Sequence, residues 1–169
     1  MTARAARSAL RRGLAALTVA VAAVGCASPD FVQPGAMRDV VAQRLGAPLS
    51  RTPLADGGER WLYSAQPSGR TVHHLDFDAQ GRLREVQQVL TAPRLQAIEV
   101  DRWTADQVRS HFGPPAMLER VALFDGDVWT YRFYEDFTPR FAHVYIDHAG
   151  IVRRMTFTDD LPRGDDARL

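Results

Sequence analysis

The most constraining feature of this sequence is that it repeats itself. Three pairs of segments match in the same order along the chain: 37–48 with 104–115, 61–63 with 129–131, and 74–81 with 143–150. The spacing between the copies grows by one residue at each successive pair, as small loop insertions would produce. Three ordered matches predict two copies of one structural unit.

The first segment of each copy predicts a short helix. In the second copy, Val108 and Phe112 lie four positions apart, as residues on one helical face do. Thr104 followed by Gln107 predicts a capping box at the start of this helix, and Gly113 predicts its end. The first copy has the same spacing of apolar residues and the same terminal glycine.

Each copy then predicts three strands joined by turns. Trp129, Tyr131 and Phe133 alternate along the first strand of the second copy and so share one face. The second and third strands are joined by a four-residue turn with aspartate first and glycine last, at residues 78–81 and 147–150. Each copy is therefore predicted to be a helix followed by a meander.

Cys26, the only cysteine, lies where an apolar leader ends. Residues 1–12 carry four arginines and no acid, and the mainly apolar run 13–25 is too short to span a membrane, so the pattern predicts a secretory signal. The ending Ala-Val-Gly-Cys closely resembles the bacterial lipoprotein processing signal. That resemblance implies cleavage before Cys26, lipidation of its thiol and acylation of the new amino terminus.

The expected fold class is α+β. We expect two tandem repeats, each a helix plus a three-stranded antiparallel meander, with the helices on one side of the sheet. In the third strand, Leu83 and Val86 can share a face only if a β-bulge intervenes. The expected organisation is a signal peptide at 1–25 that is removed, a lipidated tether at 26–36, repeat 1 at 37–90, a connector at 91–103, repeat 2 at 104–158 and a disordered tail at 159–169.

Charge and motif content argue against several functions. From Cys26 onward the chain has 17 basic and 20 acidic residues, a net charge of −3, so it carries no nucleic-acid signature. The five histidines lack metal-ligand spacing, and no nucleophile elbow, phosphate-binding loop or dinucleotide fingerprint occurs. We expect a non-enzymatic protein with no metal, cofactor, nucleic-acid partner or small-molecule substrate.

The repeated motifs carry a family resemblance. They are the helix end Leu45-Gly46-Ala47-Pro48, the pair Trp61-Leu62-Tyr63, the strand Leu75-Asp76-Phe77 and the turn glycine Gly81, each with its counterpart in the second copy. The pattern resembles the SmpA/OmlA family of small outer-membrane lipoproteins and, more broadly, the tandem fold of the β-lactamase-inhibitor-like proteins, over residues 35–158. The resemblance implies either a role in outer-membrane assembly or an open sheet face that grips a partner.

Strand parity marks a candidate partner-binding surface. If Val144 and Ile146 face the helix, then Phe141, His143 and Tyr145 face away from it. Tyr134 on the neighbouring strand falls on the same side, and exposed aromatic residues on a sheet are typical of protein-binding surfaces. The alternative is that the two repeats pack this face against each other.

These features together predict an envelope lipoprotein. We expect it to be held at the outer membrane by the lipid on Cys26, because Ala27 and Ser28 lack the aspartate that retains lipoproteins in the inner membrane. It would face the periplasm and bind another envelope protein, as a binding or assembly module. The alternative function is inhibition of a periplasmic enzyme such as a β-lactamase.

Overall fold

The computed structural model describes residues 28–160; Cys26 and residues 161–169 lie outside this part of the chain. No helix within it is long and apolar enough to cross a membrane. The elements in chain order are α1 (Arg38–Leu45), β1 (Ser50–Pro53), β2 (Glu59–Ser64), β3 (Val72–Phe77), β4 (Leu83–Gln88), α2 (Ala92–Gln96), α3 (Ala105–Phe112), β5 (Met117–Glu119), β6 (Gly126–Glu135), β7 (Thr138–Asp147) and β8 (Val152–Asp159).

The strands form two four-stranded antiparallel sheets, in the orders β1-β2-β3-β4 and β5-β6-β7-β8, which we call the first and second sheets. The chain is mostly β, and the predicted α+β class with two helix-plus-three-strand repeats is wrong. The strands that the prediction lacked are β1 and β5, one at the edge of each sheet. Every residue of both is exposed, so neither shows the apolar–polar alternation that identifies a half-buried strand in a sequence.

The prediction that the helices lie on one side of the sheet is also wrong. On one face of the first sheet, Val41 of α1 packs in a cluster with Trp61 and Leu75. On the other face lies α3, whose Phe112 shares a second cluster with Leu62 of the first sheet and with the core residues of the second sheet. The first sheet therefore has a helix on each face, and α3 packs between the two sheets.

The paired Trp-x-Tyr motifs tie each helix to its sheet. The hydroxyl of Tyr63 donates a hydrogen bond to the carbonyl oxygen of Gly46 over 2.9 Å, and that of Tyr131 donates to Gly113 over 2.9 Å. Both glycines end a helix with positive φ, 81° and 73°, where a side chain would be strained. The bond satisfies a carbonyl that the end of a helix leaves free.

The turn between the last two strands of each copy receives the start of the helix. The amide of Arg38 donates to the carbonyl of Gly81 over 2.8 Å, and that of Ala105 donates to Gly150 over 2.7 Å. The second helix also has the predicted capping box, since Thr104 and Gln107 bond each other's backbone amides. The matched motifs of the two copies thus make matched hydrogen bonds.

The third strand contains a β-bulge, which resolves a phase that the sequence left ambiguous. Leu75 pairs with Val86 and Phe77 pairs with Leu83, with a register shift between the two pairs. The shift brings Leu83 and Val86 to the same face, where both contact the cluster beneath α1. The β6–β7 hairpin turns at Asp136 and Phe137, both with positive φ.

Replacing either motif tryptophan should destabilise the protein strongly. Trp61 is 1% exposed and Trp129 is 6% exposed, so Trp61→Ala and Trp129→Ala should each lower the free energy of unfolding by about 3–5 kcal/mol, the usual cost of emptying a large buried aromatic site. Urea denaturation measures the change. Trp103→Ala, at a partly buried position, is the control and should cost less; an unchanged midpoint for Trp61→Ala would contradict its place in the core.

Candidate functional site

One face of the second sheet is partly exposed: Tyr134 is 53% exposed there, whereas Thr130 is fully buried. Strand register assigns to this surface, which we call the outer face, among others Thr130, Arg132, Tyr134, Phe141, His143, Tyr145, Arg154, Thr156 and Thr158. The opposite face holds Val144 and Ile146, 0% and 4% exposed, in the core. The predicted parity of β7 is therefore confirmed. The alternative, in which the two repeats pack this face together, holds for the first sheet, whose equivalent face packs on α3 of the second repeat. On the second sheet, the loop of the first repeat that carries Gln66 and Arg70 reaches one end of the face.

The corresponding face of the first sheet is covered. Val72 and His74, which match Phe141 and His143 in the aligned copies, are 0% and 2% exposed because α3 lies against them. Phe141 and His143 are only partly buried. The two equivalent faces therefore differ in coverage: α3 lies on that of the first sheet, and no helix lies on that of the second sheet within the described residues.

His74 shows what coverage does to a histidine in this fold. Its Nε2 donates to the backbone carbonyl oxygen of His111 at 2.8 Å, and its Nδ1 is buried without a hydrogen-bond partner in the described chain. Burial, with smaller contributions from the charges of Arg60 and His111, lowers the pKa of His74 to about 4. The ring is therefore neutral at physiological pH.

His143 is fixed rather than free. Its Nδ1 and Nε2 lie 2.9 Å from the hydroxyl oxygens of Thr130 and Thr158, respectively. Hydroxyls can both donate and accept, so this pair satisfies either tautomer of the ring. Partial burial lowers the pKa of His143. With both nitrogens engaged, the residue offers a rigid ring surface to the outer face.

The aromatic rings of β7 alternate with arginine side chains from the neighbouring strands. The guanidinium of Arg154 lies 3.7 Å from the centre of the Tyr145 ring, and that of Arg132 lies 5.8 Å from the centre of the Phe141 ring. The edge of Tyr145 also meets Phe124 at a ring-centre distance of 5.2 Å. Planar rings and guanidiniums that restrain each other lose little freedom on binding, which suits a protein-binding surface.

Tyr134 stands at one end of the outer face and is 53% exposed. The guanidinium of Arg70 lies 5.2 Å from the centre of its ring. Arg70 comes from the loop between β2 and β3, and sequence reasoning missed it. Its only local signal is a position in a turn-rich segment, and nothing in the sequence indicates that this loop reaches the second sheet.

The structure thus brings together all four predicted partner-binding residues, Tyr134, Phe141, His143 and Tyr145, on one surface. It adds Arg70, Arg154 and Asp160 around them. Within residues 28–160 no group of three or more His, Cys, Asp or Glu side chains is arranged to hold a metal ion. A groove of ≈ 250 Å³ lies by Tyr63 and His73 on the first sheet.

No known family model matches the chain, and no curated protein matches it. Among solved structures, it is similar to a DUF4309 family protein from Bacillus subtilis, at 11% identity and TM-score 0.31, over 74% of this chain and 79% of that one. An extracellular protein containing an SCP domain from Bacillus anthracis matches at 10% identity and TM-score 0.29, over 77% of this chain and 50% of that one. A cysteine-rich secretory protein from Staphylococcus aureus matches at 11% identity and TM-score 0.26, over 75% and 44%. The chain spans about half the length or less of the last two, and at such low scores we draw no conclusion from any of the three. The SmpA/OmlA resemblance stays a prediction.

The burial of His74 should make stability depend on pH. Its pKa is about 4 in the folded protein against an ordinary 6.5, so the unfolded chain binds the proton more readily. The neutral His74 ring contributes its full stabilisation of the folded protein above pH 6.5. As the pH falls from about 6.5 towards 4, the free energy of unfolding decreases by on the order of 2 kcal/mol. Denaturation curves between pH 7 and pH 4 measure it.

The variant His74→Gln isolates this effect, and its free energy of unfolding should change less with pH than that of the wild type. His148→Gln, at a turn position where the side chain is 66% exposed, is the matched control and should keep the wild-type slope. Equal slopes for wild type and His74→Gln would show that the buried ring does not titrate in this window.

Proposed function

We propose that this protein is a non-enzymatic lipoprotein of the bacterial envelope, held at the outer membrane by the lipid on Cys26 and facing the periplasm. In this proposal the outer face of the second sheet binds another envelope protein, as a binding or assembly module. The anchor is inferred from the leader and from the Ala-Val-Gly-Cys ending at Cys26, which lies outside the described residues.

The observation that carries the proposal is the contrast between two equivalent sheet faces. On the first sheet, Val72 and His74 are buried beneath α3. The same face of the second sheet presents Tyr134, Phe141 and Tyr145 with no helix over them. The aromatic side chains of the outer face are partly exposed to water, whereas the equivalent residues of the first sheet are buried. This exposure supports the interpretation of the outer face as a binding site.

Replacing Cys26 should release the protein from the membrane. One thioether-linked diacylglycerol and one amide-linked acyl chain together anchor a protein stably, which a single chain does not. We expect Cys26→Ala to move from the membrane fraction to the soluble periplasmic fraction after cell lysis and a salt wash. Retention of Cys26→Ala in the washed membranes would mean that something other than this residue provides the anchor.

Removing aromatic groups from the outer face should abolish partner binding without unfolding the protein. A photo-crosslinking amino acid in place of Tyr134 reports contact in living cells. We expect a discrete crosslinked product that disappears in the double variant Phe141→Ser with Tyr145→Ser, while thermal unfolding stays cooperative. Phe137→Ser is the matched control, because Phe137 is 97% exposed in the hairpin turn beyond the outer face, and it should keep the product.

Three results would count against the proposal. A double variant that unfolds would mean that Phe141 and Tyr145 are needed for the core, and one that keeps every crosslink would mean that binding occurs elsewhere. A crosslinked product that is a periplasmic enzyme inhibited by the protein would favour the inhibitor function over an assembly function. Thermal unfolding detects the first outcome, and mass spectrometry of the crosslinked product identifies the partner.

A further inference from the structure

Two arginines share one carboxylate at the end of the outer face. Arg70 Nη2 lies 2.5 Å from Asp160 Oδ2, and Arg132 donates to the same oxygen through Nε at 3.0 Å and Nη2 at 2.9 Å. The Arg70 and Asp160 side chains are only 14% and 13% exposed, while Arg132 is 33% exposed. Both guanidiniums hold the pKa of Asp160 below its usual value despite its burial.

Among residues 28–160, this cluster of two guanidiniums and one carboxylate has one positive charge in excess. The other acidic residues nearby are engaged elsewhere, since Glu135 and Asp159 both pair with Arg140 on the inner side of the sheet. Two guanidiniums therefore face a single carboxylate. Nη1 of Arg70 is buried and has no hydrogen-bond partner in the described chain, whereas the Arg132 side chain is 33% exposed.

The two arginines are held in place by groups that do not neutralise them. The side chain of Gln66, in the loop that carries Arg70, donates to the backbone carbonyl of Arg132 at 2.7 Å and accepts from its amide at 3.3 Å. Tyr134 flanks the Arg70 guanidinium, and Phe141 flanks that of Arg132. These contacts fix the loop between β2 and β3 against β6, so that the guanidiniums of Arg70 and Arg132 are already oriented.

We propose that Arg70 and Arg132 form a binding site for one carboxylate of the partner protein, an aspartate or glutamate side chain or a chain terminus. The inference rests on the proposed function and adds the chemistry of the partner: an acidic group beside apolar residues that pack on Tyr134 and Phe141. A net charge of +1 in a partly buried site matches a single carboxylate. A phosphate carries more charge, and a membrane surface calls for a broader basic patch.

The probe is a hexaglutamate peptide added to the isotope-labelled full chain. The arginine Nε–H resonances of Arg70 and Arg132 should shift and saturate, while hexalysine leaves them unmoved. Arg132→Gln should weaken the peptide affinity about tenfold, the scale of one charge-assisted contact. Arg102→Gln is the control, because the Arg102 side chain is 78% exposed and pairs with Glu99 rather than with Asp160, and it should change the affinity by less than about twofold.

A second variant acts in the opposite direction. Asp160→Asn removes the internal carboxylate and leaves both guanidiniums unpaired, so peptide affinity should rise. Loss of structure cannot produce a gain, and this variant therefore keeps the test decisive if Arg132→Gln folds poorly. Shifts spread evenly over all arginines, or no gain in Asp160→Asn, would overturn the proposal.

Two further probes decide the class of ligand. Inorganic phosphate or phosphatidylglycerol vesicles that shift these resonances more strongly than the peptide would overturn the carboxylate assignment in favour of a phosphate ligand. The crosslink from position 134 is scored separately. If it persists while hexaglutamate fails to bind, the carboxylate site is rejected and the protein-binding face is retained; if it is absent as well, both proposals fail.

Discussion

The burial of α3 between the two sheets is the constraint on which the rest of the structure depends. Val108 and Phe112 are fully buried, in a cluster that includes Leu62 and Val72 of the first sheet and Trp129 and the other core residues of the second. One helix therefore supplies the covering layer for both sheets. A small unit of this size buries little apolar surface by itself, and α3 joins one face of the first sheet to the core of the second in a single cluster, beside the separate cluster beneath α1.

The mixture of polar and aromatic groups on the outer face explains why that face can stay exposed. Its threonine hydroxyls hold His143, and its guanidiniums lie over Phe141 and Tyr145, so the apolar rings are interrupted by polar groups. A contiguous apolar patch would favour aggregation, whereas a mixed surface of this kind stays hydrated until a partner removes the water. Aromatic rings with neighbouring arginines are also the groups that contribute most to protein interfaces.

Sequence reasoning succeeded where local physical chemistry decides the outcome. Glycines that end helices, the turns closed by Gly81 and Gly150, and the parity of β7 all follow from short-range rules, and the structure has each of them. It failed at β1 and β5, because edge strands exposed along their whole length carry no alternation. It also missed the contact of α3 with the first sheet and the contact of Arg70 with Tyr134 and Asp160, because contacts between distant parts of a chain leave no periodic signal.

The position of α3 also has a consequence for the order in which the chain acquires its structure. A ribosome makes the protein from its amino terminus, so Leu62, Val72 and His74 exist before the helix that buries them. Until residues 105–112 emerge, one face of the first sheet is as bare as the outer face is in the finished molecule. The first half of the chain therefore cannot complete its fold until the second half has been made and, in the exported protein that we propose, has followed it across the membrane.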